Sequence, residues 1–250
     1  MLFRSQAVTN PIRRIGKFCT LALTLSLTAL AVAQATPAAL NPMQSISGHR
    51  PLEIGALVQG GFGVTENRGD FKYFMAGAQA GKVLTGNHGS GLLRGNFEYG
   101  VQLFPFWQSY TPKFQRELCP APGGPCSAPY TVGGTFTGVS ITPIILRWNF
   151  AGTKRISPWV QGAGGLLWTN HKYPAFGGPP YNPNNDGPNA DTSVWNFTPQ
   201  FGVGMRYFIR PRRSIDFGAN AIHISSASLG DKNPGVNASV QFTVGYTWWK

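Results

Sequence analysis

Residues 236–249, VNASVQFTVGYTWW, alternate between apolar and polar side chains. The apolar side chains that share one face are Val236, Ala238, Val240, Phe242, Val244, Tyr246 and Trp248. The polar side chains on the opposite face are Asn237, Ser239, Gln241, Thr243 and Thr247. Because successive side chains of a strand point to opposite faces, this segment is predicted to be a β-strand with one apolar and one polar surface.

Similar alternation recurs in seven other segments, each long enough for the roughly 9–11 residues that a tilted membrane strand needs. They are residues 52–65, 71–84, 93–105, a part of 131–150, 159–169, 195–207 and 215–225. Hydrophobic residues make up 42% of the chain and charged residues only 12%, below the roughly one quarter that is usual for soluble domains. The sequence predicts an all-β fold, an eight-stranded antiparallel transmembrane β-barrel of the bacterial outer membrane.

A barrel of this kind leads to three further expectations, on its loops, its interior and its inward charges. Its longer links lie outside the cell, which places residues 107–130 and 170–193 there as the two longest loops. The interior of eight strands is filled by side chains, which argues against a pore. The inward charged residues are expected to pair with one another: Glu53, Arg94, Glu98, Arg147, Arg206 and Asp216.

The alternative fold is a soluble periplasmic β-sandwich or lipocalin-like barrel, which would turn its apolar face inward. Aromatic residues near the strand ends favour the membrane barrel, because such barrels carry aromatic girdles at both interfaces. These residues are Phe71, Tyr73, Phe104, Phe106, Trp107, Trp148, Trp159, Trp168, Trp195, Tyr207, Trp248 and Trp249.

The N-terminus has the features of a signal peptide. A basic region is followed by an apolar run at residues 18–32 and by Ala33-Gln34-Ala35, a typical cleavage site. We therefore expect a signal peptide at 1–35, a periplasmic leader at 36–48 and the barrel domain at 49–250. The alternative is an uncleaved anchor helix, for which the apolar run is short.

Charge and cysteine content indicate an exported, membrane-associated chain. The formal net charge is +12, but the basic residues are scattered, which suits an anionic membrane surface better than a nucleic acid. Cys119 and Cys126 remain after the signal peptide, and an even pair in an exported chain predicts a disulfide in the external loop 107–130.

His223 and Ser225 are the candidate catalytic pair. Alternation places both on the lipid-facing side of the seventh strand, at its outer end, about 6.5–7 Å apart along the strand. A histidine in this position can take the serine proton and make the hydroxyl a nucleophile toward a lipid ester. The spacing alone favours the simpler alternative, two polar residues where a strand leaves the membrane.

The segment His223-Ile224-Ser225-Ser226-Ala227, followed by Asn233-Pro234-Gly235, resembles the lipid A 3-O-deacylases, the PagL-type family also described as outer-membrane acyloxyacyl hydrolase-like. The family pattern is roughly H-x-S-N-A, a short loop, N-P-G and a final strand. This resemblance implies an enzyme that removes the ester-linked acyl chain at position 3 of lipid A without a metal or other cofactor. Lipid A, lipopolysaccharide and outer-membrane lipids would be its partners, and a homodimer is left open.

The resemblance makes His223 the base and Ser225 the nucleophile, with backbone N–H groups around residues 226–228 stabilising the oxyanion. Asn237 occupies the position of the acid that orients the histidine, and by strict alternation its side chain falls on the inward face unless a bulge near Gly235 intervenes. Asp231 is a second candidate for the orienting role. Lys172 or Lys232 would meet the phosphates. The alternative function is a non-catalytic structural or adhesion barrel, since fold does not fix function.

Overall fold

The computed structural model describes residues 41–44, 46, 50–65, 68–117, 124–126, 128–173, 193–227 and 237–250. Residues 1–35, Cys119, Asp231 and Lys232 lie outside this part of the chain. The signal peptide and the disulfide therefore stay predictions. The described residues contain no helix long and apolar enough to cross a membrane.

Within the described residues, nine antiparallel strand segments form one closed sheet. They are β1 (Leu52–Gly63), β2 (Lys72–Val83), β3 (Gly95–Arg116), β4 (Tyr130–Phe150), β5 (Ile156–Thr169), β6 (Trp195–Phe197), β7 (Gln200–Arg210), β8 (Arg213–His223) and β9 (Ala238–Trp249). Segments β1 to β5 pair in sequence order, as do β7 to β9, and β9 pairs with β1 to close the barrel. Both β6 and β7 pair with β5, so they form one barrel strand interrupted at Thr198 and Pro199. The predicted eight-stranded antiparallel barrel is confirmed.

The barrel turns its apolar side chains outward and its polar side chains inward. On β1, Ile54, Val58 and Phe62 are 46–48% exposed, whereas the alternating Glu53 and Gln59 are buried. A soluble lipocalin-like barrel would show the opposite arrangement, so the wall is built to face lipid. The fold is that of a bacterial outer-membrane barrel.

Four charged side chains fill one cross-section of the interior. Arg147 lies 3.1 Å from Glu53 and 2.9 Å from Glu98, and Arg206 lies 2.7 Å from Glu53 and 3.1 Å from Glu98. The guanidinium groups also stack on indole rings, Arg147 on Trp159 and Arg206 on Trp249. Two acids and two bases balance in charge, which is what allows them to be buried together.

Two of the residues expected in this network do not form ion pairs there. Arg94 is exposed and follows the short 3₁₀ turn Gly91–Leu93, so its expected inward position is wrong. The strand β3 begins only at Gly95, and Arg94 lies before the alternation starts. Asp216 is inward, but its carboxylate accepts hydrogen bonds from the hydroxyls of Ser214 at 2.7 Å and Thr247 at 2.6 Å.

The predicted loop 107–130 is largely strand. The strand β3 continues to Arg116 and pairs with β4 from Tyr130 onward. Pro105 and Pro112 fall within the register shifts of this hairpin. A proline is tolerated at a bulge, because the ladder there does not need its missing N–H.

The links after β1, β3, β5 and β8 share one end of the barrel, here called the distal end. The opposite, basal end carries the short links after β4 and β7 and the last residue, Lys250. The described part of the predicted leader packs against the basal end. Met43 is buried beside Val83, Phe208 and Trp249, and the Asn41 side chain donates to the Thr153 carbonyl at 3.0 Å.

Half of the aromatic residues assigned to interfacial girdles lie inside the barrel. Outward positions are kept by Phe106, Trp168, Trp195 and Trp248 among others. The buried ones are Phe71, Tyr73, Phe104, Trp107, Trp159 and Trp249. Near a strand end, an aromatic ring can face either the lipid or the barrel interior. The position of a residue near an end therefore does not determine the side on which its ring lies.

Candidate active site

His223 and Ser225 lie at the distal end, where β8 continues past its last ladder residue. The His223 N–H donates to the Pro199 carbonyl at 3.0 Å. Ser225 forms an isolated antiparallel bridge with Phe197, with backbone hydrogen bonds of 2.7 and 3.0 Å. The main chain of both residues is therefore fixed by the interrupted strand β6–β7, although β8 formally ends at His223.

The two candidate side chains share the outward face of the wall. Burial alternates through this segment, with Ile222, Ile224 and Ser226 buried inside and His223 and Ser225 half-buried outside. The alternation of β8 thus persists beyond its end. The pair lies above the lipid-facing residues of the same strand.

The imidazole of His223 is oriented by a main-chain carbonyl. Its Nδ1 lies 3.1 Å from the carbonyl oxygen of Asn237. A carbonyl oxygen can only accept, so Nδ1 carries the proton and the lone pair remains on Nε2. The same oxygen also accepts from the Ile224 N–H at 2.9 Å. This tautomer is the one that a general base acting through Nε2 requires.

The Asn237 side chain does not make the contact that its family position suggested. It is 2% exposed and faces the interior, where its Oδ1 accepts a hydrogen bond from the Tyr73 hydroxyl at 3.3 Å. The expectation that the side-chain amide orients His223 is corrected: the backbone of the same residue does so. The reason is strand alternation, since Ala238 next to it is the residue paired with His223.

The turn after Ser225 is only partly described. The Ala227 N–H donates to Ser225 Oγ at 3.2 Å, and Ala227 has a left-handed backbone with φ of 47°. Ser226 is fully buried, and its Oγ has no hydrogen-bond partner within the described part of the chain. Of the proposed oxyanion region 226–228, the last residue lies outside the described residues.

The lipid-facing wall below the candidate pair carries small side chains between aromatic ones, a strip here called the groove. Its floor is formed by the small side chains of Ala221 and Ala219 on β8. Phe201 on β7 and Phe242 on β9 flank this floor and are 58% and 55% exposed. Phe217, further along the same face, marks its lower end. Along this strip the apolar surface of β8 is therefore formed by small side chains with larger rings beside them.

Two tyrosines near the site were missed by the sequence analysis. Tyr73 is predicted in the lipid girdle and Tyr173 in the external loop 170–193, yet both are buried at the distal end. The alternation did contain a signal for Tyr73, because it falls on the same face of β2 as the inward Gln79. Lys172, a candidate for phosphate contact, is exposed next to Tyr173.

Among the described residues, no group of three or more His, Cys, Asp or Glu side chains could hold a metal ion. The candidate site is a histidine whose Nδ1 contacts a carbonyl, two residues from a serine on the lipid-facing wall of an outer-membrane barrel.

A protein-family model described as lipid A 3-O-deacylase (PagL) matches residues 93–247. This range includes His223, Ser225 and Asn237 and more than half of the chain. Together with the fold, the match defines an outer-membrane barrel of an enzyme family. The chain belongs to the PagL lipid A 3-O-deacylase family.

Solved structures similar to this chain include several outer-membrane barrels. The outer membrane enzyme PagL is 16% identical and has a TM-score of 0.40, with 78% of this chain and 98% of that chain covered. Neisserial surface protein A is 14% identical with a TM-score of 0.45, over 79% and 96% of the two chains. The N-terminal β-barrel domain of Pseudomonas aeruginosa OprF is 11% identical with a TM-score of 0.40, over 79% and 97%. Among curated proteins, no match was found.

Proposed function

We propose that this protein is an outer-membrane esterase that removes an ester-linked acyl chain from lipid A, with the 3-O position as the expected site of cleavage. The observation that carries the proposal is the fixed Nδ1–H tautomer of His223, two residues from Ser225 on the lipid-facing wall. Membership of the deacylase family supports the same reaction. The distal end would then face the outer leaflet, where lipid A lies.

In the proposed reaction, Nε2 of His223 accepts the hydroxyl proton of Ser225 while Oγ attacks the ester carbonyl. The tetrahedral intermediate collapses, the sugar oxygen leaves with the proton returned by His223, and an acyl-enzyme remains. Water, deprotonated by the same imidazole, then releases the fatty acid and restores the serine. Backbone N–H groups around residues 226–228 would stabilise the oxyanion.

The uncharged carbonyl of Asn237 limits the rate that this site can reach. It holds the imidazole in the correct tautomer, as an orienting residue in a catalytic triad does. It stabilises the imidazolium less than a carboxylate would, because it carries only a partial charge. We therefore expect a slower enzyme than a relative with an acid that contacts the histidine.

The wall around the pair suits a lipid substrate. The groove over Ala221 and Ala219 offers an apolar path for the acyl chain below the site, and its flanking rings bury hydrocarbon. The exposed Lys172 lies at the same distal end, where a cation would meet the phosphates of a lipid A headgroup. Substrate would enter sideways from the membrane.

A non-catalytic surface barrel is the second candidate. The specific observation in its favour is that the family acid is replaced by Asn237, whose side chain faces away from His223. A chain that kept the barrel and lost the chemistry would look similar in fold. Only a reaction product distinguishes the two candidates.

The deciding experiment is mass spectrometry of lipid A from cells that express the wild type or Ser225→Ala. Loss of one hydroxyacyl chain with the wild type and its retention with Ser225→Ala would support the deacylase and the nucleophile together. Ser157→Ala is a matched control, because it removes a hydroxyl that bonds the Phe150 carbonyl at the basal end and should leave deacylation intact. Unchanged lipid A with a folded, surface-located wild type would favour the non-catalytic barrel.

A further inference from the structure

We propose that Tyr73 and Tyr173 are positioning residues that hold the base from inside the barrel, through the side chain of Asn237. The inference rests on the proposed function for its catalytic consequence. The claim that Tyr73 and Tyr173 fix the orientation of the His223 ring does not depend on that function.

A chain of hydrogen bonds leads from the barrel interior to Asn237. Ser109 Oγ lies 3.0 Å from the Tyr173 hydroxyl, and the Tyr173 hydroxyl donates to the Tyr73 hydroxyl at 3.0 Å. The Tyr73 hydroxyl then donates to Asn237 Oδ1 at 3.3 Å. Since each hydroxyl has one proton, Ser109 must be the donor to Tyr173, and the protons point uniformly toward Asn237.

Asn237 couples this chain to the outer wall. Its side chain is held inside the barrel by Tyr73, and its carbonyl oxygen contacts Nδ1 of His223 and the Ile224 N–H on the other side. Both groups belong to one residue at the entrance of β9. A rotation of its peptide plane that released the side chain would also tilt the carbonyl away from the imidazole.

Tyr173 is a rigid anchor for this chain. It is fully buried and its ring contacts Trp107, Phe136 and Phe71, with centroid distances of 5.4, 4.9 and 6.4 Å. Burial raises the pKa of its phenol above the ordinary value, so the hydroxyl keeps its proton and remains a donor. The first residues after β5 therefore fix the interior side of the site.

The first test compares steady-state kinetics of the full chain in detergent micelles, for wild type and Tyr73→Phe. Loss of the hydroxyl should lower kcat by roughly 3–10-fold, the effect of one neutral hydrogen bond, with KM unchanged because no substrate contact is removed. Tyr207→Phe is the matched control. It removes a phenol hydroxyl that contacts Arg155 at the basal end and should leave kcat as in the wild type.

A double-mutant cycle separates positioning from packing. In an Asn237→Ala background, which keeps the carbonyl but removes the amide, Tyr73→Phe should have no further effect on kcat. Additive effects of the two substitutions would show that Tyr73 acts independently of Asn237 and would overturn the proposal.

The tautomer of the His223 imidazole can be measured without any enzyme activity. Nitrogen-15 spectra of histidine-labelled protein, assigned with His223→Gln, should show the Nδ1–H tautomer of His223 in the wild type and a mixture of tautomers in Tyr73→Phe. An unchanged tautomer in Tyr73→Phe would refute the positioning role. If the wild type cleaves no lipid A, the proposed function fails, and the spectra still decide whether Tyr73 orients the ring.

Discussion

The carbonyl oxygen of Asn237 lies 3.1 Å from Nδ1 of His223, while the amide of the same residue contacts Tyr73 on the other side of the barrel wall. The orienting contact is therefore made by the main chain at position 237, and the side chain would act on it only from the interior, through Tyr73. What it requires is the backbone conformation of that residue.

Restoring an acid at position 237 is expected to bring no gain in rate. In Asn237→Asp the carboxylate would replace an amide that faces Tyr73, away from the imidazole, and its burial would cost stability. We expect kcat at or below that of the wild type and a lower unfolding midpoint, measured by lipid A turnover and by urea titration. A clear rise in kcat would mean that the side chain can turn outward to His223.

Filling the groove should weaken substrate binding. Ala221→Phe would place a ring on the floor between Phe201 and Val240, and a steric block of roughly 1–3 kcal/mol corresponds to a rise in KM of about 5–150-fold. Ala78→Phe makes the same change on the outward face of β2 and should leave KM unaltered. Equal KM values for both variants would exclude the groove as the acyl site.

Removing one member of the interior ion network should destabilise the barrel. Arg206→Met leaves Glu53 and Glu98 facing only Arg147, and an uncompensated buried charge costs about 3–5 kcal/mol. Urea unfolding in lipid vesicles measures this loss. Arg210→Met, at an exposed basal position, is expected to stay within about 0.5 kcal/mol of the wild type. Similar losses in both variants would contradict the assigned role of the network.

Alkaline pH should destabilise the distal end through Tyr173. Burial raises the pKa of this phenol in the folded state, so the unfolded chain loses the proton first, and stability falls as pH rises above the ordinary tyrosine value of about 10. Tyr173→Phe should show a shallower decline of unfolding free energy with pH over this range. Parallel declines for the two proteins would indicate that Tyr173 does not contribute to the pH dependence.

The face of most strand residues could be predicted from the sequence, because a lipid-facing wall forces apolar and polar side chains to alternate. This logic placed His223 and Ser225 outward and Glu53, Glu98, Arg147 and Arg206 inward, as the structure has them. It failed for the extension of β3, because the bulges at Pro105 and Pro112 shift the alternation between the two faces of the strand.

The contacts of the candidate site could be predicted only in part. Every residue has a main-chain carbonyl, so the residue type does not show which carbonyl accepts from His223. The sequence therefore pointed to the Asn237 side chain as the acceptor. Tyr173 follows β5 in a link without alternation, and only the folded barrel brings it beside Tyr73. Hydrophobic periodicity cannot identify residues that act through their main chain or that lie in a link between strands.

The charged cross-section of the barrel has a consequence for where the products of the proposed reaction would go. Two guanidinium groups, two carboxylates and the indoles of Trp159 and Trp249 occupy the interior toward the basal end. A fatty acid released at the wall would thus remain dissolved in the leaflet from which its parent lipid came. The cell would alter its surface without importing anything, and the freed acyl chain would itself become a component of the outer membrane.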